Sequence, residues 1–241
     1  MNLFLLLLVA GSTACVTMGL TKEQLSFVNA AYARKFAKSH VKDRTGSFPK
    51  FEEFELGIGK LLGKGGYGTV MEIRNFKIAD MDKKKKVRDD DEADDGIESK
   101  KFIAEHCMRI GGDSKGDARY AVKYLSPDVV NQNDLRRYMQ GIMDLAVEVR
   151  FLSDIEHPNI VKMRALSTVD AYHEGFFIIM DRLYDTLETR LEQWKKRLKG
   201  TVGLAGMLGD RKGMKAQDLM IERLVAAYDA SSAFAYLHSR K

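Results

Sequence analysis

The chain of 241 residues carries 39 Lys and Arg against 34 Asp and Glu, a formal net charge of +5, and is 45% hydrophobic. That is enough apolar material for one sizeable core or two small ones, and the interspersed charge argues against a nucleic-acid partner, one local basic run aside. Two cysteines, Cys15 and Cys107, and five scattered histidines argue against a disulfide framework and a zinc site.

Residues 3–10 form a short apolar run, followed by the small residues Gly11, Ser12, Thr13 and Ala14. Such a segment suits a secretory signal peptide, although no Lys or Arg precedes the run. A membrane anchor over residues 1–20 is the second reading, because a spanning helix needs roughly 20 apolar residues and the glycine, serine and threonines dilute this one. A mistaken start site or a buried helix is the third. Residues 21–37 place Leu25, Val28, Tyr32 and Phe36 three or four apart, and Thr21 with Gln24 resembles a capping box, so an amphipathic helix packed on the outside of the next unit is expected. Residues 39–50 read as a polar linker.

Next comes the stretch that organises the rest. Residues 54–62 and 69–73 read as strands, and between them Gly63, Gly65 and Gly68 fall at G-x-G-x-x-G spacing. A dinucleotide loop of that spacing should open a helix, and a Walker loop needs Ser or Thr after Gly-Lys, where this chain has Gly65. A strand, a glycine turn and a second strand make a hairpin. The following residues hold Lys83 to Lys86, then a block of Asp and Glu over 89–95, then a glycine-rich piece over 111–116. Adjacent charge blocks with few aromatics predict a disordered insert at 78–117.

Residues 119–125 read as a strand with Ala121 and Lys123 on one face and Val122 on the other, ended by Pro127. From 134 to 155 the positions Leu135, Tyr138, Ile142, Leu145, Val149 and Leu152 keep a helical period, and Glu148 lies on that helix. Strands follow at 162–166 and 176–180, then a helix over 184–194. Residues 195–215 read as a basic, glycine-rich surface excursion, and a final helix covers 217–238.

The run from Leu62 to Val70, Lys123 within Tyr120-Ala-Val-Lys123, Glu148 upstream of His157-Pro-Asn-Ile-Val161, and Tyr236-Leu-His238 together resemble a protein kinase domain of serine/threonine type. The resemblance spans residues 54–241. It implies an α+β fold: a five-stranded antiparallel sheet with a long helix as the small lobe over 54–183, then the first helices of a large lobe over 184–241. Residues 21–53 would precede it as a helix and linker. It also implies ATP as ligand and a protein as substrate. Leu62, Gly63, Lys64, Gly65, Gly66, Tyr67, Gly68 and Val70 would cover the nucleotide, Ala121 would floor the adenine pocket, and Lys123 would hold the α and β phosphates with Glu148 orienting it. Met180 would stand at the gatekeeper position, with the Asp181 carbonyl and Leu183 N–H meeting the adenine edge.

The family's His-Arg-Asp, Asp-Phe-Gly and Ala-Pro-Glu motifs do not occur in the sequence, and with them go the catalytic base and the Mg²⁺ ligands. The chain as given is therefore expected to be inactive alone. A non-catalytic nucleotide-binding or partner-binding module is the alternative, and a secreted or tethered interaction protein a further one. The last helix is expected to leave an apolar stripe with Leu224, Phe234 and Leu237 in water, which favours self-association. The family implies a cytoplasmic location, whereas the leader implies the secretory pathway or a membrane.

Overall fold

The structure, a computed structural model, describes residues 20–78, 92–109, 116–131, 134–201 and 214–240. The leader at 1–19 and the charge blocks at 83–86 and 89–91 lie outside the described residues. Six strands form one mixed sheet: β1 (Lys50–Phe51), β2 (Leu56–Lys64), β3 (Gly68–Phe76), β4 (Tyr120–Leu125), β5 (Met163–Ser167) and β6 (Phe177–Asp181), in the order β1-β5-β6-β4-β3-β2. Six helices accompany it among the described residues: α1 (Lys22–Phe36), α2 (Glu92–Glu105), α3 (Pro127–Asn131), α4 (Leu135–Asp154), α5 (Leu187–Thr201) and α6 (Met214–Ser239). The fold is α+β.

The sheet departs from the expected five antiparallel strands. β1 adds a sixth, parallel to β5, with Lys50 opposite Leu166 and Phe51 opposite Ser167. Two residues make a poor strand by themselves; this one is kept because the Phe51 ring is fully buried and because N–H groups of Leu166 and Thr168 donate to the carbonyls of Pro49 and Phe51 at 3.0 Å. Residues 54 and 55, expected as strand, belong instead to a 3-10 turn over Glu53–Glu55 before β2.

Alternation along the strands sends side chains to two apolar faces. Val122, Ile179, Phe177, Tyr120, Ile73 and Phe51 build one face. Ala121, Ile178, Met180 and Leu166 build the other, against Leu145 and Val149 of α4. Asp134 caps α4 by accepting from the Arg137 N–H at 3.1 Å.

The first face corrects the reading of 78–117 as disordered for residues 92–109 alone, since 79–91 and 110–115 lie outside the described residues. Within that range α2 lies over the sheet, burying Ile103 and, just past its end, Cys107. Charge counting missed the i, i+4 pair Ile103 and Cys107, and it missed the partner of Lys100. That ammonium sits 2.7 and 2.8 Å from the two carboxylate oxygens of Glu55 and 4.8 Å from the centre of the Phe51 ring. Cys107 Sγ–H donates to the Ile73 carbonyl at 3.4 Å.

α1 forms where its capping box predicts, with Thr21 and Gln24 bonded reciprocally. Pro127 both follows β4 and opens α3, a position that needs no N–H. The excursion expected at 195–215 is also corrected in part, since α5 runs on to Thr201; 202–213 lies outside the described residues. α5 packs on α6 through Trp194, whose Nε1–H donates to Glu222 at 3.0 Å, and Arg197 closes on the same carboxylate. α6 also holds the turn after α4: the Tyr236 hydroxyl accepts from Glu156 N–H, and Asn159 Nδ2 donates to Asp229. Its other face bears Leu224, Tyr228, Phe234 and Leu237 in the open. No helix among the described residues is long and apolar enough to cross a membrane.

Candidate functional site

β2 and β3 form an antiparallel hairpin whose turn is residues 65–67, closed by Gly65 N–H donating to the Gly68 carbonyl at 2.7 Å. Register carries the site across the sheet: Gly63 faces Val70, and Val70 faces Lys123 on β4. Under the hairpin lies a cleft of about 460 Å³ lined by Gly63, Lys64, Gly65, Gly66, Tyr67, Gly68, Val70, Lys123, Asp144, Leu145 and Glu148, among others. Lys123 Nζ on β4 is ion-paired to Glu148 Oε2 on α4 at its floor, with both side chains still partly exposed.

The glycines divide into two kinds. A Cβ at Gly63 or Gly66 would meet nothing within 4 Å, and one at Gly65 would stand 3.6 Å from the Gly68 carbonyl, an ordinary contact. None of the three has a positive φ. Neither backbone conformation nor packing inside the chain therefore requires glycine at 63, 65 or 66, and the benefit left is a bare backbone facing the cleft. Gly68 is different, because its Cβ would lie 2.9 Å from Lys123 Cε.

The tip of the hairpin is tied down on the α3–α4 corner. Ser126 N–H donates to the Tyr67 carbonyl at 2.7 Å, Arg137 Nη2 donates to the Gly66 carbonyl at 3.2 Å, and Lys64 Nζ sits 2.5 Å from Asp128. Gly141 in the middle of α4 makes this approach possible: a Cβ there would stand 2.7 Å from Leu125 Cδ1, 3.3 Å from Val129 Cγ1 and 3.4 Å from Tyr67 Cδ1. Sequence reading missed Gly141, Asp128 and Asp144. A glycine inside an otherwise unbroken helical period was the available signal for the first, and for the third a carboxylate four residues before Glu148.

The remaining expected site residues lie along the sheet beyond the cleft. Leu62, together with Val70 of the cleft lining, packs on the apolar cluster that holds Ala121 and Met180, and Ala121 and Met180 are register partners. Asp181 ends β6; its N–H donates to the Lys162 carbonyl at 2.9 Å and its carboxylate takes two 2.7 Å bonds from Arg164. Leu183 is 71% exposed, and among the described residues its N–H has no backbone acceptor. Next to it Arg182 turns inward and pairs with Glu72 of β3 at 2.7 Å.

Chemically the arrangement presents a fixed ammonium, a second ammonium at the lip and bare backbone around a space large enough for a polyanion, with an apolar strip leading away from it to an open backbone donor. Burial acts to raise the pKa of Glu72, but Lys60 N–H, Arg74 and Arg182 outweigh it and hold the carboxyl below the usual range. Compared with family models and with curated proteins, the chain matches none.

Proposed function

We propose that this chain binds ATP as the small lobe of a serine/threonine protein kinase does, with phosphates in the cleft under the glycine hairpin and adenine along the apolar strip. The observation that carries the reading is the Lys123–Glu148 pair at the floor of that cleft, directly beneath three glycines that the fold itself does not need. Backbone N–H groups of Gly63 to Gly68 would reach the phosphates, Lys123 would neutralise them, and Glu148 would hold Lys123 extended. Leu62, Val70, Ala121 and Met180 would bound the adenine, and the Asp181 carbonyl and Leu183 N–H would read its edge. Mg²⁺ would accompany the nucleotide and offset its charge. The reaction this site serves is transfer of the γ-phosphoryl group to a protein hydroxyl; the residues assigned here bind and orient, and the base is not among them.

An acyl-phosphate derivative of ATP, which acylates an amine near the phosphates, is expected to label Lys123 in the whole chain, and excess ATP should block it. Labelling spread over surface lysines and indifferent to ATP would count against the reading. A second reading, a module that associates through α6, draws on the open face with Leu224, Tyr228, Phe234 and Leu237. Light scattering separates it: concentration-dependent oligomers abolished by Leu224→Lys are expected on that reading, and a monomer opposes it.

A further inference from the structure

We propose that two short pieces of chain behind α2, residues 107–109 and 116–119, strap down the segment that leaves β6, with Tyr184 as the positioning residue for the Leu183 N–H that is to read the adenine edge; the functional half of this rests on the nucleotide-binding reading. Both ends of the strap are anchored. Cys107 sits in the apolar face under α2 with its Sγ–H on the Ile73 carbonyl, and Arg119 leads straight into β4. Between those anchors the two pieces pair antiparallel through Met108 and Ala118. Arg119 N–H donates to the Cys107 carbonyl at 2.7 Å, Arg109 N–H to that of Asp117 at 2.8 Å, and Gly116 N–H to that of Arg109 at 3.1 Å. Gly116 makes its bond with φ at +82°, a conformation open to glycine because it has no Cβ to clash.

The outgoing chain is fastened to this pair on either side of Leu183. Arg182 N–H donates to the Arg119 carbonyl at 2.9 Å, which extends the β4–β6 ladder by one residue. The Tyr184 hydroxyl donates to the carbonyl of buried Ala118 at 2.7 Å. Two guanidinium groups lie over the Tyr184 ring, that of Arg109 4.7 Å and that of Arg182 4.8 Å from its centre, and Arg182 is in turn held by Glu72. Leu183 itself has an exposed side chain and, among the described residues, no backbone acceptor for its N–H. An unfastened residue loses backbone entropy when a ligand orders it; one held at both neighbours presents its donor already ordered. None of the strap residues lines the space under the glycine hairpin, so the strap acts on the adenine end of the site alone.

The test uses the whole chain and two readouts. Amide hydrogen exchange without nucleotide, read by NMR at Arg182, reports the strap. Tyr184→Phe, which removes only the hydroxyl, is expected to speed that exchange about fivefold, and Tyr184→Ala, which also takes the ring from under Arg109 and Arg182, at least about tenfold. Calorimetry then compares Mg-ATP with Mg-tripolyphosphate, which has the phosphates without the adenine. Mg-ATP should bind about fivefold more weakly to Tyr184→Phe and at least about tenfold more weakly to Tyr184→Ala, with tripolyphosphate unchanged in both. Unchanged Arg182 exchange in variants that still melt cooperatively overturns the strap. Faster exchange with unchanged Mg-ATP affinity, or equal losses for the two ligands, overturns the positioning role. Tyr184→Phe leaves every buried side chain in place and carries the test if Tyr184→Ala does not fold. A chain whose Arg182 exchange depends on Tyr184 yet whose parent form binds no Mg-ATP supports the strap and refutes the nucleotide reading.

Discussion

Glu72 and Arg182 are joined across the sheet edge, Arg182 Nη1 donating to Glu72 Oε1 at 2.7 Å with each side chain only 8% exposed. The pair ties the glycine hairpin to the chain leaving β6, the two parts of the structure between which adenine is proposed to lie. Lys60 N–H and Arg74 Nε, each at 3.3 Å, share the other carboxylate oxygen, and Gly59 leaves room for it, since a Cβ there would be 2.5 Å away. Glu72→Gln strands the Arg182 charge in a buried setting and is expected to cost about 3 kcal/mol of stability, measured by urea unfolding.

Acid should act through the same group. The folded pKa of Glu72 is depressed, so its contribution is present above the ordinary glutamate value and is lost as pH falls through the lower folded value. Asp154 behaves likewise: burial raises its pKa, but the Lys42 N–H and the charges of Arg240 and Arg44 bring it down further. Stability is therefore expected to be flat from neutrality to about pH 5 and to fall below about pH 4, and Glu72→Gln should flatten part of that fall. A thermal-melt series from pH 3 to 7 measures it.

The glycines should separate stability from binding. Gly141→Ala gains about 1 kcal/mol of helix propensity but forces a methyl into Leu125 and Val129, and a net loss of about 1–2 kcal/mol is expected. Gly63→Ala and Gly66→Ala open onto empty space and should leave the melting temperature within a degree or two while weakening ATP. The two glycine classes exchanging these effects would contradict the site as built.

The docking of α2 can be read from one thiol. Burial pushes the Cys107 pKa up to about 11, with the nearby Glu72 charge adding to it. At pH 8 the peptide bearing Cys107 should resist alkylation in the folded chain and react at a rate set by opening of α2. Lys100→Met, which removes the partner of Glu55 and the cation over Phe51, is expected to raise that rate at least tenfold.

The parts of this structure that were legible in the sequence are those where one local rule acts alone. The capping box at Thr21, the alternation that splits Ala121 from Val122, and the helical period carrying Glu148 needed no knowledge of distant residues. What escaped depends on partners far away in sequence. Glu92–Glu105 looks like a solvated charge run until Glu55, 45 residues before Lys100, supplies a buried counter-charge. Lys50–Phe51 becomes a strand because β5, more than 100 residues later, offers it a parallel edge. Gly141 reads as a weak point in a helix until the hairpin tip arrives from Tyr67. The cleft's lysine, glutamate and glycines, and the pairing of Lys123 with Glu148, were nameable in advance from the motif resemblance, and the contacts that dock the hairpin tip on the α3–α4 corner were not.

The central claim is that Lys123 is the nucleotide's anchor, and titration of the whole chain with Mg-ATP by calorimetry, beside Lys123→Met, tests it most directly. The account predicts saturable binding at one site in the parent and at least about tenfold weaker binding in Lys123→Met, the size of a lost charge-assisted hydrogen bond, with the two melts alike. No saturable heat in the parent, or equal affinity in the variant, would contradict it.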